Sequence, residues 1–167
     1  MLSDLLRSGP VILTFYRGGW CLYCNIQRRA YQSVLPQIAA LGGRLVAISP
    51  LRPDRSLSTA EANALTFDVL SDVGNRTARS FGLVYALLEE LRQVFRSNNK
   101  ALSEINGDES WELPVPATYV IAPDRRVALV YIDIDYRNRL ERCDPRCAEI
   151  AAARLSDGVA THFYKGC

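Results

Sequence analysis

The chain has 167 residues, of which 49% are hydrophobic, enough for one globular domain whose core needs no disulfide staples. Its 20 basic and 18 acidic residues leave a net charge of +2, which gives no electrostatic footprint for nucleic acid or an anionic membrane. The longest apolar stretches, Val11 to Tyr16 and Tyr119 to Ala122, fall far short of the roughly 18 residues a membrane helix needs. The opening Met1-Leu2-Ser3-Asp4 shows no secretory leader pattern, so the expectation is a soluble, cytoplasmic protein with neither nucleic acid nor membrane as partner.

Val11-Ile12-Leu13-Thr14-Phe15-Tyr16 is a continuous apolar run, expected of a central strand covered on both faces. From Leu22 to about Leu41, apolar residues recur at Leu22, Ile26, Ala30, Val34 and Ile38 with helical period; Pro36 is expected to bend or end this helix, and Gly42-Gly43 to close it. Arg44 to Ser49 reads as a second strand, joined to the first by a right-handed parallel crossover. A short helix is expected to begin at Ser58 as cap, with Glu61 in the capping-box position. Thr66 to Leu70 is a third strand candidate, followed by a helix near Ala78 to Phe81 and a longer one from about Ala86 to Arg96. Asn98 to Glu112 is polar and turn-rich, hence an exposed loop. Ala117 to Ile121 and Val127 to Ile132 flank Pro123-Asp124-Arg125-Arg126 as an antiparallel hairpin, and a last helix is expected over about Arg139 to Leu155. No linker or repeat divides the chain, so one domain over residues 1–167 is expected, with residues 142–167 as a C-terminal extension.

The chemistry concentrates where the first strand stops. Arg17-Gly18-Gly19-Trp20-Cys21-Leu22-Tyr23-Cys24 delivers two cysteines to a helix start. Unpartnered N–H groups and aligned peptide dipoles there stabilise a thiolate and can bring its pKa from about 8.5 into the range of roughly 3.5–7.5. Arg17 adds positive charge. The competing readings are two buried core cysteines or half of a zinc site. A zinc site would join Cys21 and Cys24 to Cys143 and Cys147 across a separation far longer than ordinary zinc modules use.

The order of elements around Trp-Cys-x-x-Cys is that of the thioredoxin architecture, an α/β fold with a central mixed β-sheet flanked by helices. The chain resembles the peroxiredoxin-like branch of the alkyl hydroperoxide reductase and thiol-specific antioxidant (AhpC/TSA) family. The likeness rests on Phe15 to Cys24, Ala47-Ile48-Ser49-Pro50, Leu70 to Gly74, Phe81-Gly82-Leu83, Trp111 to Thr118, Asp135-Tyr136 and Arg139-Leu140-Glu141. It implies a cis peptide bond at Pro116 in the loop that lies against the dithiol and precedes Thr118, with Trp20 shielding one side of the thiols. The family's P-x-x-x-T/S-x-x-C pattern falls with Arg17 at the proline, Cys21 at the Thr or Ser and Cys24 at the peroxidatic cysteine. Thioredoxin logic instead makes Cys21, the exposed first thiol, the nucleophile. The arginine that many peroxiredoxins place before the hairpin strand is replaced by Val115-Pro116, and Arg17 is the substitute the sequence offers.

The resemblance therefore implies an oxidoreductase that reduces hydroperoxides through a Cys21/Cys24 dithiol–disulfide cycle, without metal or organic cofactor. An external thiol donor, such as a thioredoxin-like protein, resets the pair, and a homodimer is compatible with the family. Two alternatives stand beside it: a thioredoxin-type protein disulfide oxidoreductase, and a non-enzymatic redox-sensing or zinc-holding module. Cys143, Cys147 and Cys167 read as incidental thiols, His162 as a packed or solvated side chain, and Arg137, Arg139, Arg142 and Arg146 as a charged helix face.

Overall fold

The computed structural model describes residues 2–140 and 161–164. Val11–Phe15 forms β1, buried along its whole length. It is one of the two central strands of the sheet: β2 (Arg44–Ser49) pairs parallel on one side and β6 (Ala117–Ile121) antiparallel on the other. The six-stranded sheet is completed by β3 (Asp68–Ser71) beyond β2, then β7 (Val127–Ile132) and β8 (Thr161–Tyr164) beyond β6, in the order β3-β2-β1-β6-β7-β8. β2–β3 and β7–β8 are parallel and β6–β7 is the expected antiparallel hairpin, so the sheet is mixed.

Alternation along the strands divides the core in two. Val11, Leu13 and Phe15 face one side with Val46, Ile48, Tyr119 and Ile121, under α1 (Leu2–Leu6) and α4 (Arg76–Ser80). Ile12, Leu45, Val120 and Leu129 face the other side, where Tyr31 and Ile38 of α2 (Leu22–Ala40) cover them. A buried hydrogen-bond chain anchors α2 to the sheet. Gln27 donates to Tyr31 Oη at 2.9 Å, Tyr31 and Thr118 hydroxyls lie 2.9 Å apart, and Thr118 meets Thr14 at 3.2 Å. Thr118 is thus occupied in holding helix to sheet.

Several expectations are corrected. α2 does not end at Pro36 but runs through it; packing of Tyr31 before it and Ile38 after it onto the same sheet face keeps both halves in one helix. Its end is a Schellman turn, with Gly43 N–H donating to Ile38 O and Gly42 N–H to Ala39 O. The third helix, α3 (Pro53–Ala62), starts well before Ser58, because Pro53 fits the first helical turn. Ser58 sits inside it and donates to Asp54 O at 2.9 Å, so it caps nothing. The segment at Val84–Ala86 is a strand, β4, paired with β5 (Glu112–Pro114), and the helix α5 spans only Glu89–Ser97. The polar stretch after it contains α6 (Leu102–Asn106), whose Leu102 is buried in a cluster with Leu87, Trp111 and Leu113. Two apolar anchors among polar neighbours are enough to bury part of that loop. Arg139 and Leu140 are not helical, and the rest of the expected final helix lies outside the described residues, as do Cys143, Cys147 and Cys167. Among the described residues, no helix is long and apolar enough to cross a membrane.

Candidate active site

The turn that delivers the dithiol is built for close approach. Gly18 has φ +148°, and a Cβ there would stand 2.5 Å from the Trp20 indole nitrogen; a Cβ on Gly19 would stand 2.4 Å from Thr59 Oγ1 of α3. The two glycines let Trp20 fold back over the turn and let the turn press against α3. Cys21 is then the N-cap of α2, and Cys24 lies in its first turn. Both thiols are free and buried, Cys24 at 0% exposure and Cys21 at 4%. This corrects the expectation of an exposed Cys21. Tyr16, Ala47 and Leu51 share its cluster, and Trp20 and Phe67 pack over that cluster.

The two sulfurs are unequal. The Cys21 thiol donates to Cys24, the Arg17 backbone N–H points at the same sulfur, and Arg139 Nη2 reaches it at 3.5 Å. Together, led by the Cys21 thiol, these donors outweigh burial and bring Cys24 down to about 6. Cys21 is pushed up, first because its proton is shared with Cys24 and second by burial. The pair is therefore one thiolate, Cys24, hydrogen-bonded by one thiol, Cys21.

Of the other residues singled out by sequence, Arg17 reaches Cys24 through its main chain, while its guanidinium charge favours the anion at Cys21. Its buried guanidinium is sandwiched 5.1 Å from the Trp20 ring and 4.3 Å from the Tyr136 ring, an arrangement that fixes the turn. Trp20 also meets Phe95 of α5 edge-on at 5.2 Å. Pro116 is trans, since no peptide bond in the described chain is cis; the Val115 N–H donates to Leu83 O at 2.7 Å, which carries the chain from β5 into β6 without a cis turn. By sequence, Arg139 belongs with Arg137, Arg142 and Arg146 on a charged helix face. The structure instead brings it to Cys24 from the irregular segment after β7, which Tyr136 ties down by its contacts with Arg17 and Tyr23. The only sequence signal for it was its place in the Asp135-Tyr136 and Arg139-Leu140-Glu141 block. Among the described residues no three of His, Cys, Asp or Glu stand together as a metal cluster.

A family model described as AhpC/TSA matches residues 1–130. The chain belongs to the AhpC/TSA family. A Mycobacterium tuberculosis protein whose name places it among the peroxiredoxins is 29% identical over 96 residues, 58% of this chain and 62% of its own. The match thus spans less than two thirds of that curated relative. Among solved structures, peroxidoxin BcpB of Mycobacterium tuberculosis superposes with a TM-score of 0.67 at 22% identity, covering 91% of this chain and 84% of the other. Prx3 of Vibrio vulnificus, solved reduced and with hydrogen peroxide, gives a TM-score of 0.69 at 12% identity, covering 92% and 84%. The fold is the thioredoxin-like fold that AhpC/TSA members share.

The thiol asymmetry has a stability consequence. An unfolded cysteine ionises near pH 8.5, whereas folded Cys24 ionises at about 6. Between those values the unfolded chain binds the extra proton, so Cys24 stabilises the fold as pH rises, and that contribution is lost as pH falls through 6. Cys21, raised, acts in the opposite sense above about pH 8.5. The melting temperature of the reduced protein is expected to climb from pH 6 to about 8.5 and then turn down. The Cys21–Cys24 disulfide form, with neither thiol to titrate, serves as the control in the same thermal scans and should lack the rise.

Proposed function

We propose that this chain is a thiol peroxidase that reduces hydroperoxides with Cys24 as nucleophile and Cys21 as resolving thiol. The observation that carries the proposal is the convergence of the Cys21 thiol, the Arg17 N–H and the Arg139 guanidinium on one buried sulfur. Three donors around a sulfur favour the anion, and the anion is the nucleophile.

The Cys24 thiolate attacks the terminal oxygen of the hydroperoxide, the O–O bond breaks, and the alkoxide or hydroxide leaves and takes a proton. Cys24 becomes a sulfenic acid. The Cys21 sulfur then displaces that hydroxyl, losing its own proton, to give the Cys21–Cys24 disulfide and water. A dithiol donor of the thioredoxin-like class returns two electrons and two protons by thiol–disulfide exchange, entering at Cys21, the outer sulfur. Such a donor belongs to a reducing compartment, for which the cytoplasm is our reading. No cofactor takes part in these steps. Arg139 reaches the sulfur at 3.5 Å and takes the place of the arginine missing at Val115-Pro116.

The competing reading, a protein disulfide reductase, is favoured by the intact Trp20-Cys21-x-x-Cys24 order. The two are separated by measuring hydrogen peroxide and organic hydroperoxide consumption beside insulin-disulfide reduction with the same thiol donor. Peroxide consumption well above that of free thiol is expected. Peroxide turnover at the free-thiol rate together with insulin reduction would assign the chain to disulfide exchange.

A further inference from the structure

Four residues along α2 from Cys24, on the same inward face, lies Arg28, the largest fully buried side chain among the described residues at 1% exposure. Its guanidinium carbon sits 4.1 Å over the Tyr16 ring, and one Nη donates to Asn25 Oδ1. Asn25 in turn donates to Gly19 O at 2.9 Å, so the cation is fixed to the turn that carries the dithiol. Nε and the other Nη find no acceptor, and among the described residues no carboxylate pairs with this arginine. A buried, unpaired cation costs several kcal/mol, of which stacking on Tyr16 returns about 2 kcal/mol. After Tyr16, the charges that act on Arg28 most are those of Cys24 and then Cys21.

We propose that Arg28 is a positioning residue of the dithiol site, an internal counter-cation that holds Cys24 as a thiolate from within the core while Arg139 does so from outside. The inference rests on Cys24 being the reacting thiolate. The charged and titratable groups that surround Cys24 are Cys21 at the head of α2, Arg17 in the turn before it, Tyr16 after β1, Tyr85 in β4, Arg139 after β7 and Arg28 itself. Tyr16 and Tyr85 are both raised by burial and remain neutral near pH 7, so neither competes for the cation. Burial pulls Arg28 down, and the Tyr16, Cys24 and Cys21 charges push it back up. A neutral side chain in its place leaves Cys24 with one buried cation fewer.

The test is the pH dependence of Cys24 alkylation by iodoacetamide, read by peptide mass spectrometry on the full reduced chain. Arg28→Met is expected to raise the midpoint by about one pH unit, the lower end of what a nearby opposite charge supplies, while Arg28→Lys, which keeps the charge, stays close to wild type. An unchanged midpoint in a folded Arg28→Met protein overturns the proposal, as does an Arg28→Lys shift as large as that of Arg28→Met. If Arg28→Met does not fold, Arg28→Gln reads the same shift with an N–H kept for Asn25; failure of both to fold makes Arg28 a core residue only and overturns the proposal. Peroxide turnover plays no part in this readout, so a negative peroxide assay and a negative result here are distinguishable.

Discussion

Cys24→Ser is expected to lower peroxide reduction by roughly a thousandfold or more, the scale on which loss of an enzyme nucleophile is felt, whereas Cys21→Ser should still consume one equivalent of peroxide. The difference follows from the inequality of the two sulfurs. Cys24 carries the charge, and the hydroxyl of a serine in its place is not ionised near neutral pH, so no anion remains to attack. In Cys21→Ser a hydroxyl still donates to the thiolate, Arg17 N–H and Arg139 remain in place, and the first step proceeds. The cycle then stops, because no thiol stands beside the sulfenic acid. Mass spectrometry after brief exposure should find one added oxygen on Cys24 in that variant, and further oxidation to the sulfinic acid on longer exposure. The thioredoxin order of roles makes the opposite forecast: oxygen on Cys21 in the Cys24→Ser protein and a dead Cys21→Ser protein. One pair of variants therefore decides between the two directions of the cycle.

The fold was legible wherever local pattern and tertiary context agreed. Val11 to Phe15, Arg44 to Ser49 and the hairpin from Ala117 to Ile132 are strands because continuous β-branched and aromatic runs leave no amphipathic helix to form, and Gly42-Gly43 marked the end of α2 by its own chemistry. The misses share a cause. Leu102 and Trp111 bury a stretch whose composition reads as loop, Pro53 starts a helix whose cap the local pattern places at Ser58 and Glu61, and Pro36 is tolerated because packing on the sheet outweighs one lost hydrogen bond. Each is a case of distant contacts overriding local preference. The same holds at the site. Cys21 and Cys24 were visible as a motif, but which sulfur carries the charge depends on Arg139, 115 residues away in sequence from Cys24, and on Arg28, whose burial no charge pattern announced.

Arg139→Met should move the apparent ionisation of Cys24 upward by about 1–2 pH units, as expected when an opposite charge in contact is removed. At a starting value of about 6, some nine-tenths of the sulfur is thiolate at pH 7; at about 8 the fraction is roughly one-tenth. A more basic thiolate is also a stronger nucleophile, with a Brønsted slope of about 0.4–0.5, which restores nearly an order of magnitude over two units. The two effects almost cancel at pH 7, so a single assay there understates the role of Arg139. At pH 6 they do not cancel: the thiolate fraction falls about fiftyfold against the same gain in nucleophilicity, leaving a net loss of about sixfold. The expected signature is a pH–rate profile for peroxide reduction whose rising limb is displaced from about 6 toward 8, with Arg139→Lys in between. A Met variant whose limb stays at the wild-type position, even with a lower plateau, would show that Arg139 only packs against Cys24 and that the thiolate is held without it, by the Cys21 thiol, the Arg17 N–H and Arg28.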